Sequence, residues 1–485
     1  MTSEHLLSTP HEHQAEPEAA RYSDDDDTSW KVRRGATKLL TACIVTRADL
    51  LSTFYRTVSP ALIARFGERE ETVKVEIWAT YTTLLAQTKV WGSSPQASSG
   101  SDAGNGRLKR KRSSDGMETD EGCVSLLSEP LTSADSTLSL HRPVGMLLAQ
   151  TPAIAKSIIK QLSAKSLGTR QAGFTLLHEL IAVLDGGLET QIAALVPRIE
   201  AALQASDVGL TGAATTLKIE VLSFLGLLVR THHAKTLMDE LPKIVPLLVG
   251  AVGDKFNKIA AGAFVACADL VRVLRPVAPT PAPISPALTP HLKAIYDATM
   301  KRLASADADE EVKGKGIICL GVLLFHAGDQ LANESDVSLS FLRDRLKNEV
   351  SRLIAVKVVA DVAGSPVCRG ARFDQWVQEC LVEVSTLLRK VNRPLKVAAF
   401  DCISALLKRC GAGIPSTTSQ ALLGDLQPLV NDADINLLPH ALDAIATVLG
   451  NDPKAIAQVQ ASILPRIYEL VQSQIGRASC RERVS

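Results

Sequence analysis

Apolar and polar positions along this chain follow one recurring figure: a short charged turn, then a helix start in which a basic residue sits between two apolar ones. It reads Trp30-Lys31-Val32-Arg33, Val73-Lys74-Val75, Leu217-Lys218-Ile219 and Leu395-Lys396-Val397. With Val32 as the phase marker, equivalent starts fall at Val75, Thr169, Ile219, Ile259, Val312, Ser351, Val397 and Leu437. Most steps between them run from 39 residues (Val312 to Ser351) to 53 (Ile259 to Val312), room for two helices and their turns. The step from Val75 to Thr169 is nearly double and holds an insertion.

Such spacing predicts an all-α chain, a HEAT-repeat α-solenoid in which antiparallel helix pairs stack into a superhelix. The 3.6-residue rhythm places a helix at 29–46, with Asp27-Thr28-Ser29 as its cap and Leu39, Leu40 and Cys43 as its inner face. A second helix, 48–66, meets Pro60, where a kink or short break is expected. Further prolines at 197, 242, 246, 428 and 465 also fall inside apolar periodic stretches. Helices are predicted over 188–203, 237–252, 290–303, 341–349, 373–388 and 459–472, alternating with the marked ones. The Pro/Ala tract from Arg275 to Pro290 cannot continue a helix; it reads as an extended connection, with a polyproline partner site as the alternative.

Composition fits one continuous array. Aromatic residues make up 4% and charged residues 22% of the 485, so the core must come from many small aliphatic contacts. A formal net charge of +1 excludes a globally basic nucleic-acid binder. Two segments break the helical pattern. Residues 1–28 are polar and end in Asp24, Asp25, Asp26 and Asp27; disorder is expected there, the acidic run serving to dock a basic partner or to keep the linker extended and cap a helix. Residues 92–141 form a Ser/Gly/Asp-rich insertion around Arg107 to Arg112, in which Lys109, Arg110, Lys111 and Arg112 read either as a nuclear-import peptide or as a solvated loop. The repeats would then occupy 29–91 and 142–473, leaving 474–485 as a tail without helical rhythm.

Chemistry is sparse. The nine cysteines include no Cys-x-x-Cys pair, and Cys43, Cys267, Cys319 and Cys402 lie in apolar helical stretches as small core residues. The first residues lack a basic-then-apolar leader, and the longest apolar run, 316–325, is too short for a bilayer, so a soluble intracellular protein of nucleus and cytoplasm is expected. Gly314-Lys315-Gly316 lacks the spacing of a phosphate loop and reads as helix. His232-His233 follows Arg230 at a helix end, where cations favour the terminal dipole, and 307–311 reads as a capping turn. No catalytic, metal or cofactor constellation is expected, and the chain reads as no enzyme.

Specific stretches carry a family resemblance. Residues 22–34 (Tyr-Ser-Asp-Asp-Asp-Asp-Thr-Ser-Trp-Lys-Val-Arg-Arg), 54–66 and 68–74 resemble the cullin-associated, neddylation-dissociated proteins. The similarity continues through 165–171, 252–256, 273–276, 300–303, 311–313, 341–353 and 363–366, covering about 22–473 apart from the insertion. It implies a non-enzymatic HEAT scaffold that wraps an unneddylated cullin with its RING subunit and promotes exchange of substrate receptors, regulator and receptor each weakening the other's hold. TATA-binding protein is a further partner implied by the resemblance; nucleic acid and membrane are not. Family members extend beyond both ends of this sequence, so it is expected to be a middle portion lacking both main cullin-gripping ends and exchanging receptors poorly alone. Residues 474–484 resemble a translated sequencing adapter and are set aside from the fold. Competing readings are an importin-like transport receptor, against which stand only four Trp without repeat phase, and a phosphatase-type scaffold, against which stand the irregular spacing and the insertion.

Overall fold

A computed structural model describes residues 29–92, 142–206, 212–278, 283–305, 307–331 and 333–472. The acidic N-terminal segment, nearly all of the insertion and the tail lie outside them. Among the described residues the regular structure is helical, without strands.

Helices alternate between two rows. Each marked start lies at or within a few residues of the opening of an odd-numbered helix: α1 (Ser29–Thr46), α3 (Glu71–Trp91), α5 (Leu167–Leu184), α7 (Ala213–Thr231), α9 (Asn257–Leu274), α11 (Glu310–Ala327), α13 (Arg352–Ala363), α15 (Arg393–Cys410) and α17 (Leu438–Asn451). Between them run α2 (51–64), α4 (Pro143–Gln161), α6 (Ile192–Leu203), α8 (Leu241–Val252), α10 (Thr289–Leu303), α12 (Ser335–Lys347), α14 (Ala371–Leu387), α16 (Ser416–Leu426) and α18 (456–472). Every odd helix packs on the next odd helix along the row. The buried apolar side chains accordingly form one cluster from Ile44 to Ile463 rather than separate domain cores.

Small residues set how closely the odd row can pack. On α9, Ala260, Ala263, Ala266 and Ala268 are buried, and on α11 Gly321 faces Val358 of α13 so closely that an added methyl would overlap it. The even row is looser. Its α10 and α12 meet through Tyr296 and Ser338, whose hydroxyls lie 2.8 Å apart, and through the Lys293–Glu334 ion pair. Further along, a cavity opens between them.

Proline does not break α2 as expected; it widens it. Pro60 has no N–H to offer the carbonyl of Arg56, its α-helical partner, and just ahead of it the helix opens into a π turn at Phe54–Val58 in which the Ser59 N–H goes to the Phe54 carbonyl instead of that of Tyr55. The freed Tyr55 carbonyl instead accepts from Gln150 Nε2 of α4 at 2.9 Å, while Ser59 binds Tyr81 at 2.9 Å and Tyr55 binds Thr88 at 2.7 Å. The Gln150–Tyr55 bond ties the units on either side of 93–141 together, and the other two join α2 to α3. The same device recurs in α18, where a π turn at Val459–Ile463 again ends two residues before a proline, Pro465. Pro197 and Pro246 lie inside α6 and α8 at the same position, sixth from the start.

Three expectations need correction. In α1, Leu39 is 67% exposed and Cys43 is also exposed; only Ile44 is buried, because α1 packs on α3 alone and no described helix covers its other side. The helix expected at 341–349 begins at Ser335, six residues earlier, because Ser338 and Leu339 are already buried against α10 and the helix of the next unit. His232 is no exposed cation at a helix end. It is 4% exposed, its Nδ1 lies 2.7 Å from the Leu228 carbonyl and its Nε2 accepts the Leu188 N–H at 3.1 Å, so the ring pins one unit to the previous one.

Candidate partner-binding surface

Basic residues at helix starts reach forward to the turn ahead of the next odd helix: Lys218, which sits between two apolar residues, to Asp254 at 3.5 Å, and Arg33 and Arg393, which stand beside that figure, to Glu68 at 3.8 Å and Asp434 at 2.8 Å. Lys74 makes the uncharged version, donating to Gln161 Oε1 at 3.3 Å. Charged turn and basic start are thus two halves of one inter-unit link along an edge of the solenoid. Glu71 reinforces it by accepting from the Ser166 and Thr169 hydroxyls, which hold its carboxyl below the usual range.

Other motifs prove structural. Gly314, Lys315 and Gly316 are helical, and a Cβ on Gly316 would come within 2.7 Å of Leu303. Asp309 caps α11 by accepting the Val312 N–H at 2.8 Å, as its place in the acidic turn suggests. Cys267, Cys319 and Cys402 are buried, and burial pushes the Cys319 thiol up to about 12. No group of three or more His, Cys, Asp or Glu capable of holding a metal occurs among the described residues. No described helix is long and apolar enough to cross a membrane. The candidate residues Asp24, Asp25, Asp26, Asp27, Lys109, Arg110, Lys111 and Arg112 all lie outside the described residues.

What remains is surface. Across α9, α11, α13 and α15 runs an open groove of about 780 Å³. Its floor on α11 is apolar, Ile318, Val322 and Phe325, and its sides carry Arg272, Lys357, Asp361 and Asp401. Burial raises the Asp361 carboxyl, with Arg272 and Lys357 pulling the other way. An apolar strip between mixed charges, spread over four units, is suited to a macromolecular partner rather than to a small substrate. A second, smaller cavity of about 380 Å³ lies where α10 and α12 part, bordered by α11 and α13. Sequence reasoning missed both: the groove draws on residues from 272 to 401 and the cavity from 303 to 354, and no local spacing announces either.

A family model described as "CAND1-like, TPR repeats" matches residues 186–320. The units here are longer than the roughly 34 residues of a TPR, in keeping with HEAT geometry. Cullin-associated NEDD8-dissociated protein 1 of Drosophila melanogaster is 33% identical over 464 residues, 95% of this chain and 34% of the relative. Cullin-associated NEDD8-dissociated protein 2 of Mus musculus is 34% identical over 456 residues, 94% of this chain and 33% of the relative. The C-terminal part of the Emericella nidulans protein 1 is 32% identical, covering 95% of this chain and 46% of that protein. The chain therefore spans about a third of the length of the first two relatives. Among solved structures, Kap121p bound to RanGTP is similar with a TM-score of 0.50 at 14% identity, covering 91% of this chain and 38% of that one; at this identity the likeness concerns the fold alone.

Proposed function

Because the chain belongs to the cullin-associated NEDD8-dissociated protein family, we propose that it serves as a non-enzymatic scaffold that engages a cullin within the ubiquitin-ligase system. The observation that carries this reading is the match to relatives of that name over some 95% of the chain, on a helical-repeat array. The groove over α9 to α15 is the surface we assign to the cullin. In the fuller form of the proposal, the whole protein binds unneddylated cullin with its RING subunit and speeds exchange of substrate receptors, each ligand lowering the affinity of the other. TATA-binding protein is a further proposed partner.

Pull-down of neddylated and unneddylated cullin by this chain, beside the longer Drosophila melanogaster relative as reference, tests the reading. The chain should recover unmodified cullin preferentially, more weakly than the longer relative; equal recovery of both cullin forms by the chain would sink it. An importin-like role is the alternative. It draws on the Kap121p likeness, which at 14% identity weighs less than relatives above 30%. Residence in both nucleus and cytoplasm is proposed from the basic cluster, and changing Lys109, Arg110, Lys111 and Arg112 to Ala should abolish nuclear accumulation of a fluorescent fusion.

A further inference from the structure

Surface turns are ordinarily polar, and those ahead of α3 and α5 are, with Glu68, Arg69 and Glu70 in one and Ser163, Lys165 and Ser166 in the other. The turns ahead of α13, α15 and α17 differ. Each holds out one β-branched apolar side chain: Val350 is 59%, Val391 96% and Ile435 61% exposed. Val350 and Val391 stand two residues before their helices and Ile435 three, so the three form a row, one per unit, on the edge where even helices end and odd helices begin. Single exposed valines are common; a row in register is not.

Two recesses open on this edge. The first, of about 380 Å³, lies between the turns ahead of α11 and α13, where Val350 is joined by Phe341 and Ile354, both partly exposed and within reach of a ligand. The second, of about 180 Å³, lies between the turns ahead of α15 and α17 and is lined by Val391, the partly exposed Leu429, and Leu437. Two units separate them. Glu310 and Glu311 at the first recess are matched by Lys313 and Arg345, so it sets no preference of charge. The second is basic. Arg389 and Arg393 are spent on Asp425 and Asp434, but Lys390 and Lys396, on either side of Val391, have no ion-pair partner among the described residues, and only Asp432 stands against them in the neighbouring turn.

The spacing of the row selects a ligand conformation. Successive odd helices pack directly on one another, and packed helices lie about 8–10 Å apart. A polyproline II strand has three residues per turn and rises about 3.1 Å per residue, so every third side chain returns to one face after about 9.3 Å. An α-helix returns after about 5.4 Å and a β-strand after about 6.8 Å, and neither keeps step with the units. Polyproline II also needs no backbone ladder from the surface on which it lies.

We propose that this edge binds a polyproline II segment of a partner protein that carries an apolar side chain at every third position and acidic residues beside the last of them. The first apolar side chain enters the recess at Phe341, the next lies between Val350 and Val391, and the third enters the recess at Leu429, with the acidic residues toward Lys390 and Lys396. The groove assigned to the cullin takes no part, and the assignment does not depend on the cullin reading.

Fluorescence anisotropy of the full chain with a labelled peptide, Pro-Pro-Leu-Pro-Pro-Leu-Pro-Pro-Leu-Glu-Glu, and with the same sequence in reverse order tests it. One of the two directions should bind roughly ten-fold or more tighter than a peptide of the same composition with its three leucines adjacent. Replacing the glutamates by lysines should weaken binding, and Lys390→Ala with Lys396→Ala should remove that difference. Val350→Ser and Val391→Ser together should abolish the advantage of the in-phase peptide, whereas Val382→Ser, at an exposed valine of α14, should leave it intact; thermal melts verify that each variant is folded. Absence of binding in both directions, equal binding of the peptide with adjacent leucines, indifference to the charge of its end, or an advantage that survives the two valine substitutions overturns the proposal.

Discussion

Helices α1 and α9 have the same length, 18 residues, and both begin in the odd row, yet they are buried very differently. In α9, Phe264, Cys267 and Leu270 are fully covered, because α7 packs on one side and α11 on the other. In α1 only Ile44 is buried, and Val32, Leu39 and Val45 are more than half exposed. Burial in a solenoid is thus a property of having two neighbours, and an apolar pattern records the faces a helix offers without recording whether both are taken.

Cavity formation should show the contrast most strongly. Phe264→Ala is expected to cost about 3–5 kcal/mol in urea denaturation, whereas Leu39→Ala should change stability by less than about 0.5 kcal/mol. Comparable losses at both positions would mean that α1 is covered in solution. The ion pairs come next. Burial works to raise the Asp329 carboxyl, but hydrogen bonds and charge from Arg275, itself 9% exposed, outweigh it and hold the group below its ordinary value. A depressed carboxyl adds stability above its unfolded value near 4, which is lost as pH falls through the folded value. Asp329→Asn should therefore cost about 2 kcal/mol at neutral pH, discounted for partial exposure, and should flatten the loss of stability below about pH 4. Asp49→Asn, which removes the solvent-exposed Arg47–Asp49 pair beside α1, should leave the urea midpoint unchanged. Glycine gives a pair of opposite sign. Gly321→Ala should destabilise by about 1–3 kcal/mol through overlap with Val358, while Gly35→Ala, with nothing within 4 Å of its added methyl, should stabilise α1 by about 0.5–1 kcal/mol. A thermal-melt comparison that finds the same sign for both would remove the distinction between the two regions.

The odd row was legible because charged turns interrupt the chain at regular intervals and each following helix repeats the apolar-basic-apolar start. The acidic turns even foretold the cap at Asp309. Features that depend on a neighbour were not legible. Whether Leu39 faces a core depends on a preceding helix, and His232 looks like a terminal cation until the Leu188 amide arrives from the other side. Pro60 signalled trouble in α2, but whether it becomes a kink or a π turn depends on an acceptor's fate, settled by Gln150 some 95 positions away. The free hydroxyl of Ser351 is the clearest case, since serine ahead of a helix is the ordinary mark of a cap, and only the backbone angles show that it does not act as one.

The forward-reaching cations also give the solenoid an arrow. In the four links from Arg33, Lys74, Lys218 and Arg393, each unit supplies a cation that reaches its successor. A unit inserted in the same orientation finds both halves of the connection waiting, whereas one inserted backwards finds neither. Growth of such a chain by duplication is therefore compatible with only one direction of reading, and the order of units can be rearranged more freely than their polarity.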